Sequence, residues 1–279
     1  MSGSAEAADL VAIAEGAARQ AARLLADAWA EHHHGIASKS SVTDIVTAAD
    51  RMSEALIVER ILAVRPDDAI LGEEGGARSG GAGSVVRWVI DPLDGTVNYS
   101  YGLAGYAVSI AAEVEGVTVA GVVADVVRGD LYSATRGGGA TCNGAPIEVS
   151  ACSDPALALV ATGFGYDPAV RARQGRVAAE LVARVRDLRR LGAAAVDLCL
   201  VAAGRLDGYY ETGLGPWDHA AGALIATEAG ALVTDFGGGP PSAEGCLAAP
   251  PGLHGALRTL LAAAGAVGRP ARDDRPGRS

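Results

Sequence analysis

From residue 5 to residue 31, apolar side chains recur at Leu10, Ile13, Ala17, Ala21, Leu24, Leu25 and Ala28. That spacing lays one apolar stripe along an α-helix. The same period predicts a second helix from about Thr47 to Val64, with Met52, Leu56, Ile57, Ile61 and Leu62 on its inner face and Pro66-Asp67-Asp68 ending it. His32-His33-His34, with no second ligand cluster nearby, reads as a solvated turn at the first helix's end. The pattern then changes to short apolar runs at 69–72, 85–90, 104–114, 117–126 and 130–134. Glu115-Gly116 and Arg128-Gly129-Asp130 separate the later ones, so an antiparallel meander is expected. Beyond residue 150 the segments alternate: strand 157–162, helix 168–185, helix 193–203, strand 206–211, and a helix opening at Pro216-Trp217-Asp218 and running past Glu228. This predicts an α/β chain with an N-terminal α+β lobe over 1–150 and a C-terminal α/β lobe over 151–268. The polar, Pro-containing tail, 269–279, is expected to be disordered.

Composition narrows the function classes. With 49% hydrophobic and 20% charged residues, 279 residues form a globular protein with a large core. The Ala-, Gly- and Arg-rich, almost Lys-free composition fits a high-GC bacterial coding bias. A net charge of −10 argues against nucleic-acid binding, which needs a basic face. Cys142, Cys152, Cys199 and Cys246 show no paired spacing and read as small hydrophobes in a reducing compartment. No basic leader and no uninterrupted 18-residue apolar run is present, so a cytoplasmic protein without membrane contact is expected.

The chemistry concentrates at three points where an apolar run ends in acid: Gly72-Glu73-Glu74-Gly75, Asp91-Pro92-Leu93-Asp94-Gly95-Thr96 and Gly215-Pro216-Trp217-Asp218. One such carboxylate is usually a helix cap. Two carboxylates at about 4 Å, however, repel by about 4 kcal/mol at an effective dielectric near 20. A hard divalent cation between them removes that repulsion, and Mg²⁺ binds through few carboxylates plus substrate phosphate. Gly95-Thr96 offers N–H groups to an anion. Metal and anion together indicate phosphate-ester hydrolysis, in which ions clamp the attacking and leaving oxygens. The absence of a Cys-x₅-Arg signature agrees with a mechanism that needs no protein nucleophile.

Asp44-Ile45-Val46-Thr47-Ala48-Ala49-Asp50, Gly72-Glu73-Glu74, the Asp91–Asn98 segment, and Trp217-Asp218 leading to Ala226-Thr227-Glu228-Ala229-Gly230 resemble the inositol monophosphatase family in order and spacing. The family comprises Mg²⁺-dependent, Li⁺-sensitive phosphatases. The resemblance implies a layered αβαβα sandwich of the inositol monophosphatase and fructose-1,6-bisphosphatase type, a homodimer, and two Mg²⁺ ions with a third, weaker one beside Glu73. It implies that Glu73, Asp91 and the Leu93 carbonyl hold the first ion, and Asp91, Asp94 and Asp218 the second. Gly95 and Thr96 would bind phosphate oxygens. Thr96 Oγ, oriented by Asp50, would meet the attacking water, with Glu73 also counted as catalytic. Lys39 matches a family lysine on a loop near the metals, against the alternative of a solvated surface residue. Glu74 is either an outer neighbour of the ions or simply exposed.

Substrate contacts are expected from the second lobe. Glu211, in Tyr209-Tyr210-Glu211, resembles the family glutamate that accepts a bond from a ring hydroxyl. Arg189 and Ala194 fall in the segment resembling the inositol-facing wall. Ala193 replaces the usual Ser or Thr, and Gly163-Phe164-Gly165-Tyr166 lacks a serine found in some members; both departures count against inositol phosphate in particular, not against phosphatase chemistry. Val97 and Glu211 point the other way, and the resemblance implies inositol 1-phosphate, a small-molecule monoester, as the substrate. Histidinol phosphate, fructose 1,6-bisphosphate and 3′-phosphoadenosine 5′-phosphate are the alternatives. A regulatory binding protein of the transcription machinery is the competing class. Asp125 and Asp197 read as structural, His219 as a residue packed at a helix start near the cleft, and Gly237–Gly239 as a turn.

Overall fold

The computed structural model describes residues 3–34, 42–81 and 83–266. Lys39 and the segment 269–279 lie outside the described residues. Helix α1 (Gly3–His34) buries Leu10, Ala14, Ala17, Ala18, Ala21 and Leu25. The alanines let its backbone approach the sheet beneath closely. It continues through His34, so the three histidines close the helix rather than form a turn. Helix α2 (Val42–Val64) starts five residues before the expected Thr47, because no Gly or Pro interrupts 42–47. Its inner face is Ala49, Ser53, Ile57 and Ile61, with Asp50 and Glu54 alongside. Met52, expected inside, is 53% exposed. Hydrophobic periodicity placed it there because the positions turned inward carry polar side chains.

Strands β1 (Ala69–Gly72), β2 (Gly76–Arg78) and β3 (Val86–Asp94) lead to the short helix α3 (Thr96–Tyr101). Then come β4 (Ala107–Val114), β5 (Val117–Asp125), β6 (Asp130–Thr135), β7 (Gly139–Cys142) and β8 (Ala145–Pro146). They form one sheet in the order β2-β1-β3-β4-β5-β6-β7-β8, in which the β1–β3 pair is parallel and the rest antiparallel. The meander read from the sequence is present. A 3₁₀ turn (Pro155–Leu157) precedes β9 (Leu159–Thr162), α4 (Pro168–Val182), β10 (Asp187–Arg189), α5 (Ala194–Ala202), β11 (Gly208–Glu211), α6 (Pro216–Glu228), β12 (Leu232–Thr234), β13 (Cys246–Ala249) and α7 (Pro251–Ala263). The second sheet runs β10-β9-β11-β13-β12, with β9, β10 and β11 parallel.

Helices α1 and α2 cover one face of the first sheet, and α6 packs on its other face. Helix α5 lies against α6 and contacts β11 of the second sheet, and α4 and α7 pack together beyond that sheet. The layers are therefore αβαβα, as expected. Helix α5 is buried on every side, Asp197 included, and α6 buries Ala220–Gly222 and Leu224–Ala226. No described helix is long and apolar enough to cross a membrane.

Candidate active site

The site begins with a defect in a strand. Residues three apart on a regular strand point to opposite faces. Asp91 pairs with Ser109 and Asp94 with Ala107, so two residues of β3 oppose one of β4. The bulge absorbs Pro92, which has no N–H for the ladder, and turns both aspartates to the same side. Asp91 is 1% exposed and Asp94 8%. The Leu93 N–H donates to Asp91 Oδ1 at 3.0 Å, and the Ala195 N–H donates to Asp94 Oδ2 at 2.7 Å.

Asp218 arrives from α6. Gly215 and Pro216 open that helix, and Asp218 Oδ2 accepts the Gly215 N–H at 2.6 Å. The helix start is tied to the first sheet by Ser109, whose hydroxyl donates to the Trp217 carbonyl at 3.2 Å. One oxygen each from Asp91, Asp94 and Asp218 lies within 4.8 Å of the others. Glu73 comes from the β1–β2 turn, where its N–H donates to the Ile90 carbonyl at 3.2 Å, beside Asp91.

The electrostatics show an uncompensated cluster. Burial, then the charges of Asp94, Glu73 and Asp218, push Asp91 well above the usual carboxylate range. Burial and Asp218 do the same to Asp94, against the Ala195 hydrogen bond. Glu73 and Asp218 are also raised, chiefly by desolvation. Asp50 is pushed up to about 7 by burial and then by Glu74, Glu73 and Glu54. An all-oxygen set with this much unneutralised charge fits a hard divalent cation.

Gly95 and Thr96 stand at the head of α3. Gly95 has φ of +87°, and a Cβ there would lie 2.5 Å from the Gly105 carbonyl oxygen, so only glycine fits. Thr96 Oγ1 donates to the Leu93 carbonyl at 3.0 Å. Asp50, which the resemblance implies orients Thr96, has its Oδ1 without a hydrogen-bond partner among the described residues. The single hydroxyl proton of Thr96 is committed to Leu93 instead.

A cavity of about 210 Å³ opens beside Asp94, Gly95 and Asp218, walled by Ala194, Arg190, Glu211 and the Gly163–Tyr166 segment. Ala194 and Glu211, both expected to contact substrate, line this cavity. Arg189 does not line it: on the edge strand β10, it bonds Asp187 Oδ2 at 2.5 Å and the Leu188 carbonyl at 2.8 Å. The cation at the cavity wall is the next residue, Arg190. Glu211 Oε2 accepts the hydroxyl of the fully buried Tyr209 at 2.7 Å, and burial raises its pKa to about 7. Asp125 serves a turn, accepting from Arg128 N and Nη1. Asp197 is buried in α5, with Oδ1 unpartnered among the described residues.

Sequence reading missed Ser53, Glu54 and Ser109, and it gave no separate role to Tyr209 or Arg190 within the substrate-side segments that contain them. Ser53 Oγ donates to the Pro92 carbonyl at 2.9 Å, while Glu54 accepts the N–H groups of Glu74 at 3.0 Å and Gly75 at 2.8 Å. Glu54 was within reach of the sequence, because it lies four residues after Asp50 on the same helix face.

Residues 6–266 match the model of the inositol monophosphatase family. An inositol-1-monophosphatase of Mycobacterium leprae is 48% identical over 235 residues, covering 81% of each chain. The Nus factor SuhB of Pasteurella multocida is 44% identical over 228 residues, or 81% of this chain and 85% of that one. The crystal structure of Mycobacterium tuberculosis SuhB superposes with a TM-score of 0.81 at 43% identity, over 93% of this chain and 98% of that one. SuhB from Bartonella henselae gives 0.82 at 34% identity, over 91% and 99%.

Proposed function

This chain belongs to the inositol monophosphatase family, and from that premise we propose that it hydrolyses inositol 1-phosphate to inositol and phosphate with Mg²⁺. The observation that carries the reading is the convergence of Asp91, Asp94 and Asp218 within 4.8 Å, with Glu73 alongside.

Asp91, Asp94, Asp218, Glu73 and the Leu93 carbonyl would hold two ions, with a third beside Glu73. A carbonyl oxygen has two lone pairs, so Leu93 can accept from Thr96 and still serve as a ligand. When bound, Mg²⁺ supplies charge neutralisation at phosphorus and acidifies water for in-line attack. The protein's part is placement. Gly95 and Thr96 present backbone N–H groups to phosphate oxygens at the head of α3. Thr96 Oγ, its proton held by Leu93, can act only as an acceptor, and so orients an incoming water by taking a hydrogen bond from it. Asp50 is near Glu73 and Glu74, and burial together with their charges raises it to about 7 in the metal-free protein. On the other side, Tyr209 occupies Glu211 Oε2 and leaves Oε1 for a substrate hydroxyl. Ala194 and Arg190 complete that wall. A cytoplasmic homodimer is the assembly we expect.

A second reading comes from relatives named Nus factor SuhB: a regulatory partner of the transcription machinery. The full acidic set favours catalysis over that role alone. Phosphate release from inositol 1-phosphate, histidinol phosphate, fructose 1,6-bisphosphate and 3′-phosphoadenosine 5′-phosphate decides between them. The proposal expects the highest kcat/KM on inositol 1-phosphate. A higher value for another ester moves the substrate, and no turnover of any promotes the regulatory role.

A further inference from the structure

Two consecutive residues of α2 grip the two segments that bear the acidic cluster. Ser53 Oγ donates to the carbonyl of Pro92, the bulge residue between Asp91 and Leu93, at 2.9 Å. Glu54 Oε2 and Oε1 accept the N–H groups of Glu74 and Gly75, the residues immediately after Glu73, at 3.0 and 2.8 Å. Both side chains are buried, Ser53 at 0% and Glu54 at 8% exposure. The turn is cut to fit: a Cβ on Gly72 would lie 2.8 Å from Glu54 Oε1, and one on Gly75 would overlap the same atom.

From this geometry we infer that Ser53 and Glu54 are positioning residues that set the spacing of the Glu73 carboxylate from the Asp91 carboxylate. The inference rests on reading the acids as a metal centre. Ligands held in place before the ion arrives lose less freedom on binding it, and outer partners of this kind typically govern metal affinity about 10–100-fold. The turn bearing Glu73 is otherwise exposed and short. Without Glu54, its main anchor to the sheet is the bond from Glu73 N to the Ile90 carbonyl. Glu54 holds the turn through one backbone N–H on each oxygen, so the geometric part of its effect on the ion passes through Glu73, and Gly75→Ala, which keeps the Glu54 charge, isolates that part.

The test is Mn²⁺ binding by calorimetry on the full chain without substrate, for wild type, Glu54→Gln and Gly75→Ala. In Glu54→Gln one of the two accepting oxygens becomes an NH₂ donor, which meets an N–H group instead of accepting from it. Gly75→Ala displaces the carboxylate from the turn side without removing it, and so keeps the test alive should the first variant fail to fold. The expected result is a Kd for Mn²⁺ weakened roughly 10-fold or more in each folded variant. The Mg²⁺ concentration for half-maximal turnover should rise in parallel, with velocity at saturating Mg²⁺ within about 3-fold of wild type, because the ligands remain. Wild-type Mn²⁺ affinity in the variants, with or without a lowered Tm, assigns the contact to stability and overturns the inference. Failure of the wild type to bind Mn²⁺ overturns the metal reading itself.

Discussion

Asp94 caps a helix that lies 101 positions further along the chain: its Oδ2 accepts the Ala195 N–H at 2.7 Å, while the helix's own N-cap, Ala193, offers no side-chain bond. The same carboxylate faces Asp91 and Asp218. One side chain therefore both fixes the sheet to α5 and belongs to the acidic cluster.

Asp94→Asn separates these duties. The amide oxygen still accepts from Ala195, so the cap survives, while the charge that repels Asp218 and Asp91 is gone. The metal-free variant should be at least as stable as wild type, yet turn over substrate at least ~100-fold more slowly and gain little Tm from Mg²⁺. Asp91→Asn should show the same loss of turnover. Scanning calorimetry with and without Mg²⁺, alongside kinetics, checks both.

Tyr209 and Glu211 predict a specificity effect. Glu211→Gln should lower kcat/KM for polyol phosphates and alter the ranking among substrates. Tyr209→Phe, which removes the bond holding Glu211, should act in the same direction by about 1 kcal/mol, or some 5-fold. A uniform loss across all substrates would mean that Glu211 does not contact the leaving group.

The acids also fix the sign of a pH effect. Glu211 and Asp50 have pKa values of about 7 in the folded protein, against about 4 in an unfolded chain. The folded state therefore binds more protons than the unfolded state between those values. Stability is full below pH ~4 as far as these groups go, falls as pH rises to about 7, and is flat above. Tm in EDTA should follow that descent, and Mg²⁺ should stabilise most at the alkaline end. A metal-free Tm that rises from pH 5 to 7 would contradict it.

Asn98 ties the two sheets' segments together. Its Nδ2 lies 2.7 Å from the Gly105 carbonyl, 2.6 Å from that of Leu191 and 3.1 Å from that of Ala104. Asn98→Ala leaves these carbonyls short of a donor and should cost about 1–3 kcal/mol, read by urea unfolding.

Much of this site was legible because its residues end apolar runs. Strand β3 and helix α6 announce themselves by composition; Asp91 and Asp94 lie at the end of the strand and Asp218 in the first turn of the helix. What the sequence hid were relations between elements. The bulge at Pro92 shows only in the β3–β4 register, and the capping of α5 by Asp94 joins distant positions. Ser53 and Glu54 occupy an inner face that a hydrophobic count assigns to Met52. Arg190 displaced Arg189 at the cleft because a strand end decides which of two adjacent arginines faces inward, and β10 is only three residues long. Strands β12 and β13 went unread, since three- and four-residue strands carry little periodicity; helix α7 was also unread, although Leu253, Leu257 and Leu261 recur at helical spacing.

The most direct test is phosphate release from inositol 1-phosphate by the wild-type chain as Mg²⁺ is titrated from an EDTA-treated start. Turnover that is absent in EDTA and rises to saturation with Mg²⁺ is the predicted result. Hydrolysis that proceeds unchanged in EDTA, or none at any Mg²⁺ concentration, would contradict it.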